Sequence, residues 1–305
     1  MSKSTISTFQ LFEMVPDAET ARVWFESRLW PNGPRCPVCG LGERITKRKG
    51  GFYRCNQCKE DFTVRTGTIF ERSHVPLHKW IYAMYLVVTA RKGISSMQLA
   101  KEIGVTQKTA WFILGRLREA CGKDFGKLSG IVEIDETYVG GKEANKHKHK
   151  KLHAGRGPVG KTAVIGMRER GGHTVALPVE AVDADTAEHL LYRMIAPGST
   201  VHTDDARAYD GIIGPLLKHE SVMHSAGEYV RDDVTTNGIE SVWAVLKRGI
   251  YGTFHHVSPK HLGRYVDEFT FRLNEGNVAR HTLDRLDSFV ENTAGKRLTY
   301  RDLIE

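Results

Sequence analysis

The sequence predicts an α/β protein, in which a mixed sheet with flanking helices follows two smaller modules. Two C-x2-C pairs lie within residues 31–72, apolar residues recur at helical spacing over residues 95–120, and strand-like alternation starts near residue 130. From there the order is three strands, a helix, a strand, a short helix, a strand and a long helix. Three leading strands in a meander, followed by alternating helices and strands, predict a mixed sheet covered by helices.

The composition is that of a globular protein with a basic balance. Of its 305 residues 40% are hydrophobic and 26% are charged, and Lys plus Arg outnumber Asp plus Glu by 44 to 36, which gives a net charge of +8. A basic balance favours a polyanionic partner, most often nucleic acid. No apolar run reaches the roughly 18 residues of a membrane span, and the N-terminus lacks the apolar core of a signal peptide. We therefore expect a cytoplasmic protein with no membrane partner.

Four cysteines predict one structural zinc site. They form two C-x2-C pairs separated by fifteen residues: Cys36, Cys39, Cys55 and Cys58. Each pair forms a tight knuckle that directs two thiolates at one point, and two knuckles complete the tetrahedral site of a zinc ribbon. Two disulfides would satisfy the same pattern, but a reducing compartment disfavours them. Because all four ligands are cysteines, no open position remains for catalysis.

Residues 95–120 have the spacing of a helix-turn-helix. Gly104 allows a sharp turn between two apolar-periodic segments, and Thr106 can cap the second helix. Three residues would lie at the exposed start of that helix, where base edges or phosphates are reached: Gln107, Lys108 and Thr109. A plain helical hairpin used for packing fits the same pattern.

A basic segment between the first two predicted strands is a second candidate DNA contact. Residues 142–161 are crowded with Lys, Arg, His and Gly and have no apolar period, so we expect a long loop. Lys150, Lys151 and Arg156 would contact phosphates. A solvated charge run fits equally well, and like-charge repulsion disfavours a metal site among the alternating Lys and His residues.

Carboxylates on three elements predict a site for two Mg²⁺ ions. Asp135 lies on the first strand of the sheet and Asp204 ends the fourth, and these two strands are expected side by side. The later helix in "TTNGIESVWAVLK" could add Glu240, with Lys247 two turns further on the same face. Such an arrangement holds two Mg²⁺ ions about 4 Å apart. A solvated polar face is the ordinary interpretation of that helix taken alone, and Asp205 is expected to point away.

The chain resembles bacterial insertion-sequence transposases of the family numbered fifteen-ninety-five. The resemblance rests on the cysteine motif and on "VEIDETYVGGK", "HTDDARAY" and the helix from Thr235 to Lys247, and it covers residues 20 to 275 or so. It implies a zinc ribbon ahead of a ribonuclease H-like DDE domain. It also implies a Mg²⁺-dependent polynucleotidyl transferase that cuts the ends of its element and joins them to target double-stranded DNA. By motif, Asp135 and Asp204 are its two aspartates and Lys247 is the basic residue after the third ligand.

The resemblance leaves two candidates for the third metal ligand. The family shows a motif such as "HTNTIE", in which the Asn is often assigned as the ligand, and this chain reads "TTNGIE", with Asn237 and Glu240 one helical turn apart. Glu240 brings charge to a hard dication and precedes Lys247 by the usual seven residues. Thr235 stands where the family motif shows His.

The motifs and the resemblance together divide the chain into five segments. In order they are a helical lead-in, the zinc ribbon, the helix-turn-helix, the catalytic domain and a C-terminal tail, at residues 1–30, 31–72, 73–125, 126–280 and 281–305. Since two ends must be brought together, we expect a dimer or higher oligomer on DNA, associated with the nucleoid. The alternatives are a transcriptional regulator that uses only the zinc ribbon and the helix-turn-helix, and a ribonuclease H-like nuclease without strand transfer.

Overall fold

The chain folds into two compact units, one of which is built from both ends of the sequence. In the computed structural model unit 1 comprises Met1–Lys123 and Glu275–Glu305, and unit 2 comprises Asp124–Asn274. The structure describes residues 5–122, 125–141, 143–152, 158–204, 209 and 217–304.

Unit 1 begins with two capped helices and a small antiparallel sheet. Ser7 forms a capping box with Gln10 at the start of α1 (Thr8–Met14), and Asp17 Oδ1 accepts from the Thr20 backbone N–H at the start of α2 (Ala18–Leu29). The sheet that follows has the order β1-β2-β3, and its strands are β1 (Ile45–Lys47), β2 (Tyr53–Cys55) and β3 (Asp61–Phe62). The turn from β1 to β2 needs the positive φ angles of Gly50 and Gly51, 71° and 76°.

Three further helices follow, and the last two have the predicted tight turn between them. They are α3 (Leu77–Thr89), α4 (Ser96–Ile103) and α5 (Gln107–Cys121). Gly104 ends α4 in the left-handed conformation, and Thr106 caps α5 through the Thr109 backbone N–H. From Ile113 onward α5 is buried on nearly every side, so its exposed part is its first turn.

Unit 2 is the mixed sheet with flanking helices that the sequence predicts. Its strand order is β6-β5-β4-β7-β8. The first three strands form the antiparallel meander, and β7 and β8 run parallel to β4. The strands are β4 (Ile131–Val139), β5 (Thr162–Glu169), β6 (Thr174–Val179), β7 (Thr200–Thr203) and β8 (Lys218–Ser221).

Helices cover both faces of this sheet, and β4 divides its side chains between them. The helix α6 (Ala184–Met194) packs over Val132 and Ile134. The opposite face carries α7 (Asn237–Gly249) and α8 (Pro259–Leu273), which pack with Val139. A short antiparallel hairpin, whose two strands have two residues each, leads into α7. Its strands are β9 (Val230–Arg231) and β10 (Val234–Thr235). Strand alternation therefore places Glu133 and Asp135 on the α7 face.

After α8 the chain returns to unit 1. The helices α9 (Thr282–Glu291) and α10 (Tyr300–Ile304) bury Leu286, Phe289 and Leu303. The buried Arg285 donates to the Val88 carbonyl oxygen of α3. Residues 275–304, set apart by sequence as the end of the catalytic domain and a tail, thus contribute to the core of unit 1. In the described parts of the chain, no helix is both long and apolar enough to cross a membrane.

Candidate active site and metal centres

The four cysteines of the ribbon converge as a zinc site requires. Their Sγ atoms all lie within 4.8 Å of one another, with 3.5 Å between Cys36 and Cys58 and 3.7 Å between Cys39 and Cys55. Tetrahedral zinc with Zn–S bonds of about 2.3 Å separates its sulfurs by about 3.8 Å, so the spacing suits one Zn²⁺. All four are free thiols, as is the buried Cys121, which lies outside the cluster. The predicted four-cysteine zinc site fits this structure.

The knuckle backbone prepares the Cys55 thiol to bind metal. The backbone N–H groups of Cys58 and then Gln57 lower the pKa of Cys55 to about 6, despite the opposing effect of burial. A thiol with that pKa is ionised at neutral pH, and the thiolate is the form that binds zinc. Tyr53 and Phe62 pack beside the cysteines and exclude water from this small core.

In unit 2, three carboxylates meet where β4 passes the end of β7. Oxygens of Asp135, Glu136 and Asp204 lie within 4.8 Å of one another. The parallel register pairs Glu133 with His202, which brings Asp135 level with Asp204 two residues further along both strands. The structure thus brings together the two aspartates that the sequence placed on neighbouring strands.

Asp135 is held on both carboxylate oxygens. Trp243 Nε1–H donates to Oδ2 at 2.9 Å, and the Glu136 backbone N–H donates to Oδ1 at 2.8 Å. Burial, followed by the charges of Asp204 and Glu136, raises the pKa of Asp135 to about 7. A bound divalent cation would offset the repulsion between carboxylates that are crowded in this way.

Glu136 is a member of the cluster that sequence reasoning missed. Alternation assigned it to the opposite face of β4 from Asp135, and its Oε2 does accept from Tyr209 Oη at 3.0 Å. Burial raises the pKa of Glu136, while the Tyr209 hydrogen bond opposes that rise. The only signal in the sequence was the position of Glu136 next to Asp135. Strand alternation argued against its joining the cluster, because neighbouring residues on a strand point to opposite faces.

The candidate residues of α7 lie on its exposed surface and outside this cluster. Asn237, Glu240 and Lys247 are all exposed. At about 100° per residue, Glu240 lies about 60° and Lys247 about 40° around the helix from Trp243, on the same side, whereas Asn237 lies about 120° away. Trp243 reaches Asp135. Glu240 and Lys247, which lie closer to Trp243 around the helix than Asn237 does, are therefore on the edge of α7 nearer the carboxylates.

The start of α7 is fastened to the sheet by Glu133, another residue that sequence reasoning did not single out. Glu133 is 3% exposed, and its carboxylate accepts from the Ile239 backbone N–H at 3.0 Å and from Arg170 Nε at 3.1 Å. A Cβ on Gly238 would clash with Glu133 Oε2. Because Thr236 makes no capping bond through its side chain, Glu133 serves as the cap of this helix from a distant strand.

The predicted DNA contacts of unit 1 are already engaged within the protein. Gln107 Nε2 donates to Ser96 Oγ at 2.9 Å, and Lys108 Nζ lies 4.7 Å from the ring centre of Tyr300 on α10. The Thr109 backbone N–H donates to the Thr106 side chain at the cap. Gln107 and Lys108 nevertheless remain exposed on the surface of unit 1.

Of the predicted contacts in the basic segment, the structure describes Lys151, which is half-buried. Arg156, Asp205 and the side chain of Lys150 lie outside the described residues. Short helical turns at Glu143–Asn145 and Lys148–Lys150 occur in the segment that was expected to be a loop.

Comparison with known proteins assigns both modules. Residues 127–274 match the ISXO2-like transposase domain, and residues 16–61 match the transposase zinc-ribbon domain. The chain is 33% identical over 258 residues to an uncharacterized protein in transposable element ISH50 of Halobacterium salinarum, a match that covers 80% of this chain and 86% of that protein. It is 26% identical over 106 residues to an uncharacterized transposase-like protein of Haemophilus influenzae, covering 35% of this chain and 83% of that protein.

Solved structures are more distant. The Mos1 strand transfer complex is 13% identical, with a TM-score of 0.27 over 72% of this chain and 79% of that chain. This likeness is too weak to add to the assignment.

The domain matches and the relative from an insertion element agree with the mixed sheet and its carboxylate cluster. They assign residues 127–274 to a transposase domain rather than to a regulator. The enzyme is a DDE-type polynucleotidyl transferase that acts on DNA. The chain belongs to the family of insertion-sequence transposases in which a zinc ribbon precedes an ISXO2-like transposase domain.

Proposed function

We propose that this transposase cuts both ends of its insertion sequence and joins them to target DNA at the carboxylate cluster, with two Mg²⁺ ions as cofactors. The observation that carries the proposal is the convergence of Asp135, Glu136 and Asp204 within 4.8 Å. Clustered carboxylate oxygens suit Mg²⁺, which prefers hard oxygen ligands and retains positions for water and phosphate. When bound, the ions would activate the attacking hydroxyl and stabilise the departing 3′ oxygen.

Asp135 and Asp204 would be the ligands supplied by the sheet. Trp243 holds Asp135 in one orientation by donating to Oδ2, which leaves the remaining lone pairs of the carboxylate for a cation. This indole hydrogen bond also favours the ionised form of Asp135, although burial and its neighbours act against ionisation. Trp243 therefore orients Asp135 and also favours the ionised form of Asp135, which is the form that binds metal.

Glu240 is our candidate for the third metal ligand. It lies on the same side of α7 as Lys247, about 60° from Trp243, whereas Asn237 is about twice as far around the helix. Glu240 also brings a negative charge, which Asn237 lacks. Glu136 would add negative potential from beside Asp135, with one oxygen engaged by Tyr209. Lys247 would hold a phosphate of the DNA end.

Recognition of the element ends would come from unit 1, and phosphate contacts would extend into unit 2. The zinc ribbon and the first turn of α5, with Gln107, Lys108 and Thr109, are the candidates in unit 1, and Lys150, Lys151 and Arg156 are the candidates in unit 2. Two ends have to be joined in one reaction, so we infer a dimer or higher oligomer assembled on double-stranded DNA. Such an enzyme would act at the nucleoid, in the cytoplasm.

The test is a strand-cleavage and strand-transfer assay with purified protein, the element's terminal DNA and Mg²⁺. Asp135→Asn, Asp204→Asn and Glu240→Gln should each abolish cleavage while DNA binding is retained. Glu180→Gln, at an exposed site just after β6, is the matched control and should be active.

Two further variants decide the third ligand. Retained cleavage in Glu240→Gln, with loss in Asn237→Ala or Glu136→Gln, would reassign that role. Cleavage without joining would favour a nuclease, and binding without cleavage in the wild type would favour a regulator.

A further inference from the structure

A cavity of about 310 Å³ lies at the carboxyl end of β4, beside the turn that follows α7. Val139, Ile250 and Val257 line it with buried apolar side chains. Lys161 and the 55% exposed Tyr251 also line it. Apolar side chains, an aromatic ring and a cation together match a ligand with a flat apolar part and an anionic part.

The turn that forms one side of this cavity has an unusual backbone. After α7 the chain makes a π-helical turn over Ile250–Phe254 and then places His255 at φ 61° and ψ −43°, outside the ordinary range for a residue with a side chain. The His255 backbone N–H closes the turn on the Ile250 carbonyl oxygen at 2.6 Å. Turns of this kind, and residues strained in this way, occur often at ligand sites.

Packing explains why the turn stays in place while Tyr251 remains at the surface. The Phe254 ring packs edge-on against Tyr265 of α8, with 4.8 Å between the ring centroids. Tyr251 has no such role in the core, since it faces the cavity and solvent. His255 and His256 line the same cavity and add two further polar rings.

The opposite side of the cavity depends on a close backbone approach. A Cβ on Gly140 would lie 3.1 Å from both Cα and Cγ of Lys161, a tighter contact than side chains ordinarily make. A glycine at this position therefore allows Lys161 to lie beside the end of β4, where Lys161 lines the cavity.

We propose that this cavity takes one nucleotide of the element's terminal DNA, with the base against Tyr251 and the apolar side chains and the phosphate near Lys161. The inference rests on the proposed function, because it supplies the DNA. Bases stack on aromatic rings regardless of sequence, and a lysine ammonium pairs with phosphate. Asp135 and Val139 are four residues apart on β4, about 13 Å, so a terminal strand that follows β4 and turns one base out of its pair into the cavity would span about four steps of 3.4 Å. The nucleotide should therefore lie about four positions from the cleaved bond.

The experiment uses the full-length protein and terminal duplexes that carry 2-aminopurine, a fluorescent base, at successive single positions from the cleaved bond. Ca²⁺ replaces Mg²⁺, so that binding is measured without cutting. We expect the fluorescence to change at one position near the fourth. Tyr251→Phe should keep this response and Tyr251→Ala should abolish it, with affinity weakened roughly tenfold by the loss of one stacking contact. Lys161→Ala should weaken affinity and Lys161→Arg should restore it.

Tyr229→Ala is the matched control, since Tyr229 is 58% exposed and lies outside the cavity. The proposal is overturned if Tyr251→Ala binds and responds as the wild type does, if Tyr229→Ala gives the same loss, or if the wild type binds no terminal duplex. A wild type that gives the positional response but never cuts in Mg²⁺ supports the cavity and refutes the proposed function alone.

Discussion

Trp243 Nε1 lies 2.9 Å from Asp135 Oδ2, so the buried face of α7 is bonded directly to the carboxylate cluster. The indole is 4% exposed, and it occupies space that a side chain on Gly166, the β5 partner of Asp135, would need. Trp243 is thus a core residue that also fixes the distance between the helix that carries Glu240 and the strand that carries Asp135.

Trp243→Phe should lower the rate of cleavage while the protein remains folded. The substitution keeps most of the apolar contact but removes the hydrogen bond to Asp135, which costs about 1.5–3 kcal/mol for a charged acceptor. Asp135 should then be freer to reorient, and its pKa should rise further. Urea unfolding and cleavage measured side by side would test this, with Trp24→Phe in unit 1 as the control. Equal cleavage by Trp243→Phe and wild type would show that the indole does not position Asp135.

Metal-free protein should lose stability as the pH rises from about 4 to about 7. The pKa of Asp135 is raised from 3.8 to about 7, so the folded state holds its proton more tightly than the unfolded state over that range. We expect a loss of roughly 2 kcal/mol, less than the full shift because the carboxyl is partly exposed.

Mg²⁺ should therefore stabilise the protein more at pH 8 than at pH 5, because bound metal replaces the proton. Urea unfolding at both pH values, with and without Mg²⁺, measures the difference. Asp204→Asn should shrink the pH effect, since Asp204 is the largest charge contribution to the raised pKa. A stability that is flat across this range in the metal-free wild type would contradict the prediction.

Removal of one zinc ligand should unfold the ribbon. Cys36→Ser leaves three thiolates and weakens a site whose binding energy is also folding energy. We expect the zinc content to fall well below one ion per chain and terminal-DNA binding to be lost, as measured by metal analysis and fluorescence anisotropy. Cys121→Ser is the control, because that cysteine is buried but lies outside the cluster. Full zinc occupancy in Cys36→Ser would rule out a four-cysteine site.

Glu133 and Gly238 should behave as a coupled pair. Glu133→Ala leaves the Ile239 backbone N–H without its buried acceptor and removes one of the acceptors of the Arg170 guanidinium, which should cost about 1–3 kcal/mol. Gly238→Ala should destabilise through the clash with Glu133 Oε2. The double variant should be less destabilised than the sum of the two single variants, because Glu133→Ala removes the carboxylate with which the Cβ of Gly238→Ala would clash. Strict additivity in urea unfolding would show that the two residues act independently.

The local parts of this protein could be predicted because short-range geometry dictates them. The two cysteine knuckles, the glycine turn between α4 and α5, and the alternation of β4 each depend on residues within a few positions of one another. The adjacency of Asp135 and Asp204 also followed, since the strand order requires β4 and β7 to be neighbours. The sequence alone therefore determined the fold class, the four cysteines that converge in the ribbon and two of the clustered carboxylates.

The remaining features depended on contacts between residues distant in sequence. Glu133 caps a helix whose Ile239 is 106 positions away, and Arg285 of the C-terminal segment bonds a carbonyl in α3 that is 197 positions away. Glu136 joins the cluster against the rule of alternation, because the sheet brings Asp204 close to both neighbours on β4. The sequence by itself determined which chemical groups the site contains. Only tertiary packing decided which of them meet, because the contacts that orient α7 and complete unit 1 join residues more than a hundred positions apart.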